Sequence, residues 1–121
     1  MRIFNRQDFL KLPAGILYSS GKKWYFNAIH VKGYSYENDF IELDITRIDA
    51  HDSGELFDRW DEMLDKGASY PFDEECYGRN GAFDNEDIFM VFEPADLLKL
   101  KGIIDAAIAI EIPSVIEVEV E

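Results

Sequence analysis

Apolar residues recur in this chain at two different periods, and the order of those periods limits the folds open to it. Ile41, Leu43 and Ile45 alternate with Glu42, Asp44 and Thr46, a period of two that gives a strand one apolar and one polar side. Leu56, Phe57, Trp60, Met63 and Leu64 return instead every three or four residues, which gathers them on one side of a helix. Strand-type and helix-type segments therefore follow one another in a chain of 121 residues, the length of one domain. With 47% apolar and 14% aromatic residues there is enough material for a core, so net charge alone does not imply disorder.

Local signals place the remaining elements. Asn5 is a helix cap answered by Asp8 three residues on, with Phe4 and Phe9 at the positions of a hydrophobic staple. Leu12-Pro13-Ala14-Gly15 ends this short helix. Ile16-Leu17-Tyr18, a turn at Ser20-Gly21-Lys22 and the β-branched and aromatic run from Trp24 to Val31 read as a hairpin. A polar link from Gly33 to Asp39 leads to the alternating strand, whose isoleucine and leucine side is expected to be buried and whose other side is expected to be wet and acidic. Asp52 and Glu55 cap the next helix, Gly67 stops it, and Glu55/Arg59 and Glu62/Lys66 are spaced to pair along it.

Residues 68–85 lack periodicity and are rich in Gly, Asp, Asn, Tyr and Pro, the mark of a long loop. Ile88-Phe89-Met90-Val91-Phe92 has the length and composition of a central strand. Pro94 suits the first turn of a second main helix, with Leu97, Leu98, Leu100, Ile104, Ala107 and Ile108 as its expected buried side. Residues 114–121 read equally as a terminal strand and as a frayed tail. The expected fold is a single α+β domain over residues 1–121: a mainly antiparallel sheet of four to five strands, two main helices and a short N-terminal helix.

Charge is segregated along the chain. Residues 1–36 carry six basic side chains against one acid, residues 37–98 four against nineteen, and residues 99–121 two against five. The total is −13. A field of that sign repels nucleic-acid phosphates and attracts a basic protein surface. The single cysteine, Cys76, permits no internal disulfide. The opening residues lack a secretory apolar stretch and no segment has the length of a membrane span, so a cytoplasmic, membrane-free protein is expected.

The sequence shows no constellation that names a reaction. Cys76 lies between Glu75 and Tyr77, among acids that disfavour a thiolate, and His30 and His51 fall in a strand pattern and in a charged turn. No metal-ligand spacing of the C-x-x-C or H-E-x-x-H kind occurs. Asp73, Gly78 and Asp84 match three positions of a calcium loop, but Tyr77 and Asp84 stand where a ligating side chain and a bidentate Glu are needed. No cofactor or metal is expected. The one anion-binding candidate is Lys22, Lys23 and Trp24 with Tyr70, Tyr77 and Arg79, whose cations and rings suit a nucleotide.

The segments Phe4-Asn5-Arg6-Gln7-Asp8-Phe9-Leu10-Lys11-Leu12-Pro13-Ala14-Gly15-Ile16-Leu17-Tyr18, Gly67-Ala68-Ser69-Tyr70-Pro71, Tyr77-Gly78-Arg79-Asn80-Gly81-Ala82-Phe83-Asp84 and Phe89-Met90-Val91-Phe92-Glu93 resemble those of small uncharacterised proteins of tailed bacteriophages and prophages. The resemblance implies a phage accessory protein acting in the host cytoplasm and transfers no catalytic residue. Two functions of different class then stand. One is a non-enzymatic inhibitor that binds a positively charged host protein, of the defence or nucleic-acid-handling kind. Its surface would comprise Glu55, Asp58, Asp61, Glu62 and Asp65 with the loop acids Asp73, Glu74, Glu75, Asp84, Glu86 and Asp87. The other is a binder that sequesters a nucleotide second messenger at Lys22, Lys23, Trp24, Tyr70, Tyr77 and Arg79. A homodimer formed by strand pairing is compatible with either.

Overall fold

The computed structural model describes residues 1–112. In chain order the elements are β1 (Arg2–Asn5), α1 (Arg6–Leu10), β2 (Leu17–Lys22), β3 (Tyr25–Tyr36), β4 (Asp39–Asp44), α2 (Ser53–Lys66), β5 (Tyr77–Arg79), β6 (Ile88–Val91) and α3 (Pro94–Ile108). The strands form one sheet in the order β1-β6-β2-β3-β4-β5, with every neighbouring pair antiparallel. The α+β class is the expected one, with six strands among the described residues instead of four to five. The expected terminal segment over 114–121 lies outside the described residues.

Caps act where the sequence placed them. The Asn5 side chain accepts from the Asp8 amide at 2.8 Å and Asp52 accepts from the Glu55 amide at 2.8 Å. Gly67 closes α2 in the left-handed conformation at φ 68°, where glycine meets no Cβ penalty. Pro94 opens α3, and Glu93 with Asp96 forms a reciprocal capping box.

The β2–β3 turn falls two residues later than expected, at Lys23 and Trp24, the latter at φ 81°. Strand β2 runs on through Gly21, which pairs with Phe26 after a register shift, and only glycine fits there because a Cβ would lie 2.1 Å from the Tyr25 carbonyl oxygen. The expected polar link of 33–39 is largely strand as well: β3 reaches Tyr36 and turns at Glu37, at φ 51°. Two strands fall where none was expected. Strand β1 lies against β6, and β5, inside the supposed loop of 68–85, pairs with β4 through Tyr77–Leu43 and Arg79–Ile41.

The core lies on one side of this sheet. Phe9 of α1 stacks on Phe89 with centroids 4.2 Å apart and meets Tyr18 at 4.8 Å and Phe40 at 5.1 Å. Phe4, Leu10, Leu12 and Ile16 pack around them. Pairing registers put Phe40 and Glu42 of β4, Lys32 of β3 and Tyr18 of β2 on this covered side. Leu17, Ile29, Val31, Ile41, Leu43 and Met90 share the other side. The expectation for β4 holds in part: Leu43 is buried and Ile41 and Ile45 are half-buried, but the other side is not wet, since Phe40 lies in the core and Glu42 accepts a hydrogen bond from the Tyr18 hydroxyl there.

Two further expectations are corrected. Helix α3 has no buried residue, and Leu98, Ile104, Ala107 and Ile108 of its supposed buried side are exposed. It leaves the sheet at the end of β6 and makes no extensive contact with any strand. Helix α2 likewise has no buried residue, and its apolar stripe is only partly covered.

Candidate functional site

Helix α2 is held by polar side chains along one edge. Arg59 pairs with Glu55 at 2.7 Å, donates to the Asp49 carbonyl and lies 4.7 Å from the centre of the Tyr70 ring. Glu55 also accepts from the His51 amide at 3.3 Å, and Glu62 accepts from the Tyr70 hydroxyl. That bond raises the Tyr70 pKa. Glu62 thus takes Tyr70 as partner in place of the expected Lys66. The segments flanking the helix are joined by the Ile48–Phe72 bridge and by the Asp49 amide donating to the Pro71 carbonyl at 2.8 Å.

The opposite edge is unengaged. Asp58, Asp61 and Asp65 are exposed, and no hydrogen bond or ion pair from their side chains occurs among the described residues. The helical repeat sets them beside Phe57 and Leu64. Those side chains and Trp60, assigned by periodicity to the apolar stripe, are 65%, 68% and 57% exposed. Leu56, Phe57, Trp60 and Met63 border an open cleft of about 510 Å³ whose other wall is Thr46, Arg47 and Ile48. The site therefore joins aromatic anchors to a row of free carboxylates. The carboxylates were legible from sequence; the exposure of the anchors was not, since periodicity names a stripe without saying what covers it.

The loop acids divide into two groups. Asp73, Glu74 and Glu75 follow Phe72 beside the base of α2, with Asp73 accepting from the Glu75 amide at 2.9 Å. Asp84 and Asp87 are taken up by Lys22, which binds Asp84 and lies 3.0 Å from Asp87, while Glu86 is exposed. The Lys22 pairing holds the Asp84 carboxyl below its ordinary pKa and raises that of Lys22, chiefly through Asp84 and then Asp87. Charges far apart in the sequence thus neutralise one another in space.

The nucleotide-site candidates are scattered. Lys22, Lys23 and Trp24 mark the Tyr25 end of β3, whereas Arg79 pairs with Ile41, which lies against Gly33 towards the other end. At ~3.3 Å per strand residue these ends stand roughly 25 Å apart. Tyr77 is on β5, and Tyr70 packs beside α2. Arg79 is committed to Asp39 at 2.9 Å.

A second polar cluster is structural. Arg6 is 4% exposed and donates to the Asn38 carbonyl, to Asn80 and to Asp39, with its guanidinium 5.5 Å from the Phe40 ring centre. Burial pushes the Asp39 carboxyl up, but bonds from Arg79 and from the amides of Phe40 and Gly81 outweigh it and hold Asp39 below its ordinary range. Lys32, 1% exposed, donates to the Gly33 carbonyl and to Ser35, and burial pushes its pKa down. No buried side-chain polar atom lacks a partner among the described residues. These residues also contain no cluster of metal-ligating side chains and no helix long and apolar enough to cross a membrane. Cys76 is half-buried, 3.9 Å from an Arg47 nitrogen.

No family model, no curated protein and no solved structure matches the chain.

Proposed function

We propose that the protein is a non-enzymatic binding protein that docks a basic surface of a partner protein against α2. One observation carries the reading: among the described residues Asp58, Asp61 and Asp65 have no partner, and beside them Phe57, Trp60 and Leu64 are exposed. Aromatic anchors ringed by charge are the composition of an interface hot spot. Like charges at these spacings cost an isolated helix a few tenths of a kcal/mol per pair, a cost that a cationic partner reverses. The resemblance to small phage proteins supplies the context: the partner is a host protein with a basic groove, and blocking that groove inhibits it.

The test is tagged capture from host lysate over a salt series, read by native mass spectrometry. Retention is expected to fall steeply with salt. Changing Asp58, Asp61 and Asp65 together to Asn is expected to abolish capture while altering stability by no more than about 0.5 kcal/mol. Trp60→Ala is expected to weaken binding roughly thirty-fold. Capture that withstands high salt and all four substitutions, or an ultraviolet-absorbing small molecule as the sole passenger, refutes the reading.

A further inference from the structure

We infer that the chain forms a symmetric dimer in which α3 of each copy lies across the helix-free side of the other copy's sheet. Besides the α2 stripe, two apolar surfaces are left without a covering helix among the described residues, the first of them half-buried apart from Leu43, which is buried. The first is the sheet side bearing Leu17, Ile29, Val31, Ile41, Leu43 and Met90, where Ala14, Val31, Ile41 and Tyr77 line an open groove of about 540 Å³. The second is α3, whose Leu100, Ile103, Ile104 and Ile108 fall on one side of the helix by the helical repeat. Ile103 and Ile108 are 67% and 75% exposed.

The chain's own α3 is not free to turn back onto its own sheet. Only Phe92 and Glu93 separate it from β6. Its first turn is fixed by the Glu93–Asp96 capping box, by the Arg2–Glu93 pair at 3.3 Å and by Leu97, which shares a groove with Phe4, Leu12 and Ile16. Rotating the helix over the sheet would break the Arg2–Glu93 pair and lift Leu97 from its groove.

A second copy fits in charge, length and area. Segment Pro94–Ile108 holds two lysines and two aspartates and is neutral within a chain of net charge −13, so pairing through it keeps the acidic surfaces of the two copies apart. At 1.5 Å per residue the 15-residue helix is about 22 Å long, close to the ~24 Å width of six strands at ~4.8 Å spacing. Removable apolar surface is roughly 60–120 Å² per Leu or Ile side chain. The exposed Ile103, Ile104, Ile108, Ile110 and Ile112 therefore supply roughly 300–600 Å² per copy, and with a smaller addition from each half-buried sheet side chain the total approaches the ~800 Å² per partner of a standard interface. Reciprocal exchange of this kind closes on itself as a two-fold dimer. Edge pairing offers less, because the edge strands β1 and β5 have only four and three residues.

Analytical ultracentrifugation of the full chain at micromolar concentration tests the inference. The expected species has twice the 14.0 kDa chain mass, and Ile104→Asp with Ile108→Asp, both at exposed sites, is expected to give a folded monomer. Which surfaces meet is read by disulfide trapping in a Cys76→Ser background. Chains carrying Ile104→Cys are expected to cross-link with chains carrying Val31→Cys and not with themselves. A monomeric wild type, a dimer that survives the double substitution, or cross-linking confined to like chains overturns the proposal.

Discussion

The two sides of the sheet are made from the same strands and end in opposite conditions. On one, α1 lowers Phe9 among Tyr18, Phe40 and Phe89, and even the charged groups there are served: Lys32 by a carbonyl and a hydroxyl, Glu42 by a tyrosine. On the other, Leu43 is buried but Leu17, Ile29, Val31, Ile41 and Met90 are only half-buried, and no helix makes extensive contact with the strands that carry them. The difference shows that alternation in a strand decides which side chains share a side and leaves open which side receives the covering element. Here the covering helix is five residues long. It suffices because Phe9 and the Arg6 cluster fill the space beneath it.

Substitutions on the covered side should have the largest effects. Phe9→Ala removes the ring at the centre of the aromatic cluster and is expected to cost about 3–5 kcal/mol in urea unfolding, by the same amount at any protein concentration. A cost below about 1 kcal/mol would show that this side is not the closed core.

Asp39→Asn comes next, since it leaves the buried Arg6 guanidinium without its carboxylate, at a cost of about 3 kcal/mol. The pH dependence has a fixed sign. Asp39 is held below its ordinary value of 3.8 in the folded state, so its contribution is complete above that value and lost as pH falls through the folded one. Melting curves between pH 5 and pH 2 should therefore be flatter for Asp39→Asn than for the parent.

The uncovered side should respond least. Ile41→Ala is expected to cost about 1 kcal/mol in dilute protein, because the half-buried side chain is contacted only from its own sheet side and truncation leaves no closed cavity. The parent's melting temperature should rise with protein concentration where the second copy binds, and this substitution should reduce that slope. Equal costs for Ile41→Ala and Phe9→Ala in dilute protein would erase the contrast between the two sides.

Features that depend on neighbours in sequence were legible beforehand. The Asn5, Asp52 and Pro94 caps and the stop at Gly67 are set by side chains within a few residues, and each stands where composition placed it. Features set by distant partners were not. Strands β1 and β5 are four and three residues long with no alternation of their own, and they are strands because β6 and β4 offer open edges. The acidic row of α2 could be read from its spacing, but the division between Glu55 and Glu62, occupied by Arg59 and Tyr70, and the free aspartates depends on where residues 49 and 70 come to lie. The basic excess of residues 1–36 gave no hint that Arg6 and Lys32 would be interior while Lys22 neutralised a loop more than sixty residues away.

The two tryptophans sit far from the aromatic cluster, Trp24 at the tip of the β2–β3 hairpin with 89% of its surface in solvent and Trp60 on α2. Intrinsic tryptophan fluorescence of this protein is therefore expected to be red-shifted before any denaturant is added and to report the surface more than the core. With Trp24 replaced by Phe, the remaining indole becomes a built-in optical probe of α2 alone, and a blue shift on adding a binding partner would report occupancy of that helix without any label.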